Sequence, residues 1–148
     1  MITGFCHIYL PVKNIDETIA FYTERLGFSE FRRWSMGPGR DAAYLRLGDI
    51  LLELSVPAQG GALPAETGRI EARFGLTVDH LDETLDELRR QGVEVLPEGA
   101  TPPRSFSGRQ VRIKDPSGWQ IALREWRAPD GPHYTGWQPQ EQSTATPG

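Results

Sequence analysis

Displaced by 66 positions, the chain matches itself: Val12-Lys13-Asn14-Ile15-Asp16-Glu17-Thr18-Ile19 falls on Val78-Asp79-His80-Leu81-Asp82-Glu83-Thr84-Leu85, with Asp-Glu-Thr shared outright. The same displacement lays Leu45-Arg46-Leu47-Gly48-Asp49 on Val111-Arg112-Ile113-Lys114-Asp115, so two separated blocks keep one register. Pro116-Ser117-Gly118 then acts as a three-residue insertion, and a displacement of 69 pairs Leu52-Glu53-Leu54 with Ile121-Ala122-Leu123. A chain made of two copies of one supersecondary unit has to place the same elements in the same order twice.

The elements follow from hydrophobic spacing. Phe5 to Val12 is β-rich, and Ile15, Ile19, Tyr22 and Leu26 then recur at helical intervals. Asn14 is the expected N-cap with Glu17 as its capping-box partner, and Gly27 ends the helix. In the second copy Leu81, Leu85 and Leu88 repeat the stripe and Gly92 is the stop. Short strands are predicted at about 28–34, 42–47 and 50–55 after the first helix, and at about 93–96, 109–114 and 119–125 after the second. Each copy therefore reads βαβββ, with turns at Gly48-Asp49 and Asp115-Pro116-Ser117-Gly118.

These boundaries divide the chain into a single domain over 1–126, with module one at 1–56, a Pro/Gly linker at 57–70 and module two at 71–126. A Pro/Gly-rich tail follows at 127–148, in which Tyr134 and Trp137 are the expected anchors. With 148 residues, 38% of them hydrophobic and 24% charged, the chain can bury a real core. No signal-peptide pattern opens it and no apolar run reaches the roughly 18 residues that span a bilayer. A cytoplasmic protein is the expectation, consistent with the lone cysteine, Cys6. The net charge of −4 and the isolated pairs Arg32-Arg33 and Arg89-Arg90 offer no concentrated patch for nucleic acid.

The run His7-Ile8-Tyr9-Leu10-Pro11-Val12, followed by Asp16 and by Phe21-Tyr22-x-x-x-Leu26-Gly27-Phe28, resembles the opening module of the vicinal oxygen chelate (glyoxalase, bleomycin-resistance protein, dioxygenase) superfamily. Val78-Asp79-x-Leu81-Asp82, Gly92-Val93 and Asp115-Pro116-x-Gly118 look like its second module, and the resemblance covers about residues 4–126. It implies an α+β fold in which two βαβββ modules form curved mixed sheets with an open cleft. It does not imply one reaction, because the superfamily includes isomerases, epimerases, dioxygenases, thiol transferases and drug-binding proteins without chemistry.

In the metal-using members each module gives two ligands, one from its first strand and one from its last. The resemblance puts His7 and Glu53 at those positions in module one, but Arg73 and Ala122 in module two. A guanidinium offers no lone pair and alanine offers nothing, so His7 and Glu53 are the residual metal candidates and no metal is assigned. A third ligand would have to come from Glu71, His80, Glu125 or His133, each of which also reads as an ordinary surface residue. The resemblance further implies that Arg73 enters the space of the missing cation, pairs with Glu53 and faces His7. Such a trio is either structural or a site for an anion or carbonyl oxygen, with His7 or Glu53 as base.

Strand alternation sends Cys6 and His7 to opposite faces, so Cys6 is expected to pack beneath a helix. By the same parity Tyr9, Tyr44, Ser55, Gln110, Arg112 and Gln120 line the concave face, and Trp34, Phe106 and Trp119 wall a cleft or fill the core. Two functions remain open. One is a glyoxalase-like small-molecule enzyme with a degenerate metal site; the other is a metal-free protein that sequesters a ligand or antibiotic. Both predict a homodimer with a small-molecule ligand.

Overall fold

The β-rich start becomes a strand, β1 (His7–Pro11), and the apolar stripe after it becomes a helix, α1 (Ile15–Leu26). Asn14 caps that helix, its Oδ1 accepting from Glu17 N at 3.0 Å, and Gly27 closes it at φ 76°, where a side chain would be strained. Three strands follow: β2 (Ser29–Ser35), β3 (Asp41–Leu47) and β4 (Ile50–Ser55). Module two repeats the order with β5 (Phe74–Val78), α2 (Leu81–Arg90), β6 (Gly108–Lys114) and β7 (Gln120–Trp126). The structure is a computed structural model and describes residues 1–58, 63, 72–99 and 108–126. The tail anchors Tyr134 and Trp137, and also Glu71, Phe106 and His133, lie outside the described residues.

Both sheets are mixed, as the α+β reading requires. The first has four strands in the order β1-β4-β3-β2 and the second three in the order β5-β7-β6, with β1–β4 and β5–β7 parallel and the remaining pairs antiparallel. Register bears out the duplication: Tyr9 lies opposite Glu53, and Gly75 opposite Ala122, with the insertion taken up in the turn before β7. The strand expected near 93–96 is a correction. Only an isolated bridge, Val95 to Ile113, stands there, flanked by Leu96 N to Arg112 O and Lys114 N to Glu94 O.

Alternation then decides which residues meet the core. On the inner face of the first sheet Leu10, Leu52, Leu54, Ala43 and Leu45 are all buried, against Ile15, Ile19 and Tyr22 of α1. The inner residues of module two, Val111, Ile113, Ile121 and Leu123 with Leu81, Leu85 and Leu88, belong to the same cluster, so one core serves both copies. Each such leucine removed from water is worth about 1.5–3 kcal/mol. Polar ties pin the copies together: Trp119 Nε1 donates to Pro11 O at 2.6 Å, Lys13 N to Ser117 Oγ at 3.0 Å, and Tyr22 OH to Asp115 Oδ2 at 3.0 Å. Among the described residues no helix is long and apolar enough to cross a membrane.

Candidate functional site

Residues of opposite parity point away from the helices, and in module one they carry the chemistry. His7 and Tyr9 on β1, Glu53 on β4 and Tyr44 on β3 share this outer face, because Tyr9, Glu53 and Tyr44 lie side by side in the register. His7 Nε2 stands 3.0 Å from Glu53 Oε2, with the side chains 35% and 22% exposed, so both are shielded yet reachable. Tyr44 OH donates to the same oxygen at 3.3 Å. Its ring meets His7 edge-on at 6.0 Å between centroids and lies 4.9 Å from that of Trp34. Tyr9 OH instead pairs with Ser55 Oγ at 3.0 Å.

The Glu53 carboxylate can only accept, so it makes Nε2 the protonated nitrogen of His7 and leaves the lone pair on Nδ1. Desolvation, followed by the charge and the hydrogen bond of Glu53, holds the Tyr44 hydroxyl above its ordinary pKa and keeps it a donor. The arrangement is an oriented imidazole base with a carboxylate behind it, bordered by aromatic rings.

Two expectations fail here. Arg73 makes no ion pair with Glu53: it precedes β5, is exposed, donates from Nη2 to Tyr9 O at 3.3 Å and lies over the Trp119 ring at 5.1 Å. The imidazole of His7 already occupies Glu53, so the carboxylate does not need the guanidinium. Cys6 does not pack beneath a helix either. Regular strand begins only at His7, so alternation does not reach back to residue 6; Cys6 is exposed and its Sγ lies 3.3 Å from His7 Nδ1.

Module two presents a different surface. Gly75 and Ala122 stand where module one has Tyr9 and Glu53, and a Cβ added to Gly75 would meet that of Ala122 at 3.7 Å. Above them opens a recess of about 390 Å³ bordered by Thr77, Gln110, Arg124 and Trp126. Gln110 Oε1 accepts from Arg124 Nη2 at 2.6 Å, and Arg112 Nη1 donates to Gln120 Oε1 at 2.9 Å. Trp119, for which a cleft wall and the core were both open, is buried between the modules at 5% exposure.

A resident divalent ion wants about three protein donors. Here His7 and Glu53 hold one another, Arg73 and Ala122 contribute none, and among the described residues no group of three or more His, Cys, Asp or Glu is arranged to hold a metal ion. Glu125, a possible third ligand, accepts from Leu81 N at 2.8 Å and so caps α2, while exposed His80 sits at that helix's N-cap without a side-chain bond to it. The residues present do not fit such an ion. Asp115, read from the sequence as the start of a turn, accepts from Ser117 N at 2.9 Å and Trp119 N at 2.8 Å.

A family model described as Glyoxalase/Bleomycin resistance protein/Dioxygenase superfamily matches residues 4–123. The chain is 25% identical over 124 residues to glutathione transferase FosA of Serratia marcescens, covering 83% of this chain and 81% of that protein. Among solved structures, a glyoxalase family protein from Enterococcus faecalis superposes with a TM-score of 0.68 at 26% identity, covering 82% of this chain and 97% of that one. TnmS3, an antibiotic binding protein from Streptomyces sp. CB03234, superposes with a TM-score of 0.67 at 23% identity, covering 85% and 98%.

Proposed function

Because the chain belongs to the Glyoxalase/Bleomycin resistance protein/Dioxygenase superfamily, we propose that it is a small-molecule enzyme that moves a proton next to a carbonyl group without a resident divalent ion. The contact between His7 Nε2 and Glu53 Oε2, 3.0 Å long and on an open face, carries the reading. Glu53 orients the ring, Nδ1 takes the proton from the carbon beside the carbonyl, and the electron pair passes to the carbonyl oxygen. Tyr44 keeps Glu53 in place. Tyr9, Gln110 and Arg112 are the ligand-binding residues of this reading. The Serratia relative, a glutathione transferase by name, supports an enzyme in this family.

A second reading, capture of a ligand without chemistry, draws on the recess over Gly75 and Ala122. The antibiotic binding protein with this fold makes such a role compatible with the architecture.

The test begins with a thermal-shift screen against aldehydes, 2-oxo acids and antibiotics, followed by deuterium exchange at the carbon next to the carbonyl of each stabilising compound. Exchange by the wild type that falls by about 10²-fold or more in His7→Ala supports the enzyme reading. A compound that stabilises the protein but exchanges equally with wild type and variant favours capture.

A further inference from the structure

The edge strand β2 does not keep one register along its length. Ser29 lies opposite Arg46 and Glu30 opposite Leu45, but Arg32 then lies opposite Tyr44, which leaves Phe31 over as a β-bulge. One extra residue reverses the face of every side chain after it. Without the bulge Phe31 would stand beside Tyr44 on the outer face, and Arg32 and Trp34 would turn toward the helices. With it Arg33 takes the helix side, where its Nη1 donates to Asp16 Oδ1 of α1 at 2.6 Å, and Arg32 and Trp34 join the outer face. The Trp34 ring, 4.9 Å from that of Tyr44, marks the result. The bulge thereby completes a lateral row in which Tyr9, Glu53, Tyr44 and Arg32 stand side by side on β1, β4, β3 and β2. Arg33 is engaged by Asp16 and Glu30, whereas exposed Arg32 has no carboxylate partner among the described residues. Its charge reaches the Tyr44 hydroxyl, where it opposes the desolvation and the Glu53 charge that raise that group's pKa. A guanidinium stays charged at every working pH, and its paired N–H donors match the two oxygens of a carboxylate.

We propose that Arg32 is the specificity-determining residue of this face and receives the carboxylate of an aromatic oxo acid whose carbonyl end lies at His7. The inference rests on the proton-transfer reading of the preceding section for the carbonyl end, and adds the group that selects the substrate. Glu53 and Arg32 are two strands apart, about 10 Å between backbones. A 2-oxo acid, whose carboxylate adjoins its carbonyl, does not bridge that span, so the two groups of the substrate have to be several bonds apart. The rings of Tyr44 and Trp34 lie along the path, and a flat spacer such as a benzene ring fits between the ends. Arg32 takes no part in the proton transfer; it decides which carbonyl compounds are held for it.

The experiment titrates the full chain calorimetrically with 4-acetylbenzoate and with its neutral counterpart 4-acetylbenzamide, and then follows deuterium exchange at the methyl group of each. The wild type is expected to bind the acid about tenfold or more tightly than the amide. Arg32→Gln should abolish that preference at an unchanged melting temperature, since the side chain is exposed on an edge strand, and Arg32→Lys should keep part of it. The preference should also shrink as salt is added. A wild type that binds neither compound or both equally, or a preference that survives in Arg32→Gln, would overturn the proposal and make Arg32 a solvated surface charge. Exchange of the methyl protons that falls in His7→Ala but is indifferent to Arg32→Gln sinks this inference alone. Arg32-dependent binding of the acid without any exchange above the buffer rate sinks the proton-transfer reading and leaves Arg32 as the anchor of a captured acid.

Discussion

The phenol of Tyr22, on the helix of the first module, donates to Asp115 Oδ2 in the turn of the second at 3.0 Å, inside the core that both modules share. Tyr22 is fully buried and Asp115 is 5% exposed, so neither group can exchange this bond for water. Tyr22→Phe keeps the ring contacts with Phe21 and Phe28 but leaves the carboxylate one donor short. It is expected to destabilise the protein by about 1–3 kcal/mol. Equal urea midpoints for variant and wild type would show that the bond contributes nothing.

Asp115 also sets a pH dependence. Burial is the largest influence on its carboxyl and raises its pKa from 3.8 to about 6, against the opposing pull of the hydrogen bonds from Trp119 N and Tyr22. A folded-state pKa above the unfolded one means that the native chain holds its proton more tightly. The contribution of Asp115 to stability is therefore complete below pH about 3.8 and is lost as the pH rises through about 6. Asp115→Asn, which cannot ionise, should gain on the wild type over that interval. Unfolding free energies measured across the interval test this, and parallel curves for the two proteins would contradict it.

Calorimetric titration of the wild type with zinc, nickel or ferrous ions is expected to give no tight one-to-one binding. His7 and Glu53 are engaged with each other, and neither Arg73 nor Ala122 supplies a donor. A tight isotherm abolished by His7→Ala would show that the half-site recruits a third ligand and would replace the metal-free base with metal chemistry.

The protein is expected to sediment as a homodimer at micromolar concentration. Phe5 and Phe31 are 69% and 59% exposed, and Ile50, the first residue of β4, is 40% exposed, apolar side chains that association would cover. Phe31→Glu should shift the population toward monomer while leaving the circular dichroism spectrum intact. A wild type that remains monomeric removes any role for a second chain.

What the sequence by itself determined was whatever depends on local spacing. The two displacements, 66 and 69, already contain the register that places Tyr9 opposite Glu53 and Gly75 opposite Ala122, since a repeated unit repeats its pairing. Alternation along β3 and β4 put Tyr44 and Glu53 on one face, and the Asn14 cap and Gly27 stop bounded α1. Tertiary structure decided what depends on distances between elements far apart in the chain. Arg73 has a long side chain at the junction of the modules, and their docking brings Tyr9 O and Trp119 to it rather than Glu53. Trp119 looked equally suited to a cleft wall or to the core until the approach of Pro11 O supplied a buried partner for its indole N–H. Cys6 changed sides because regular strand geometry begins one residue after it. Periodicity tells a side chain which way to leave the backbone, but the choice among partners in reach is made only when separate elements pack.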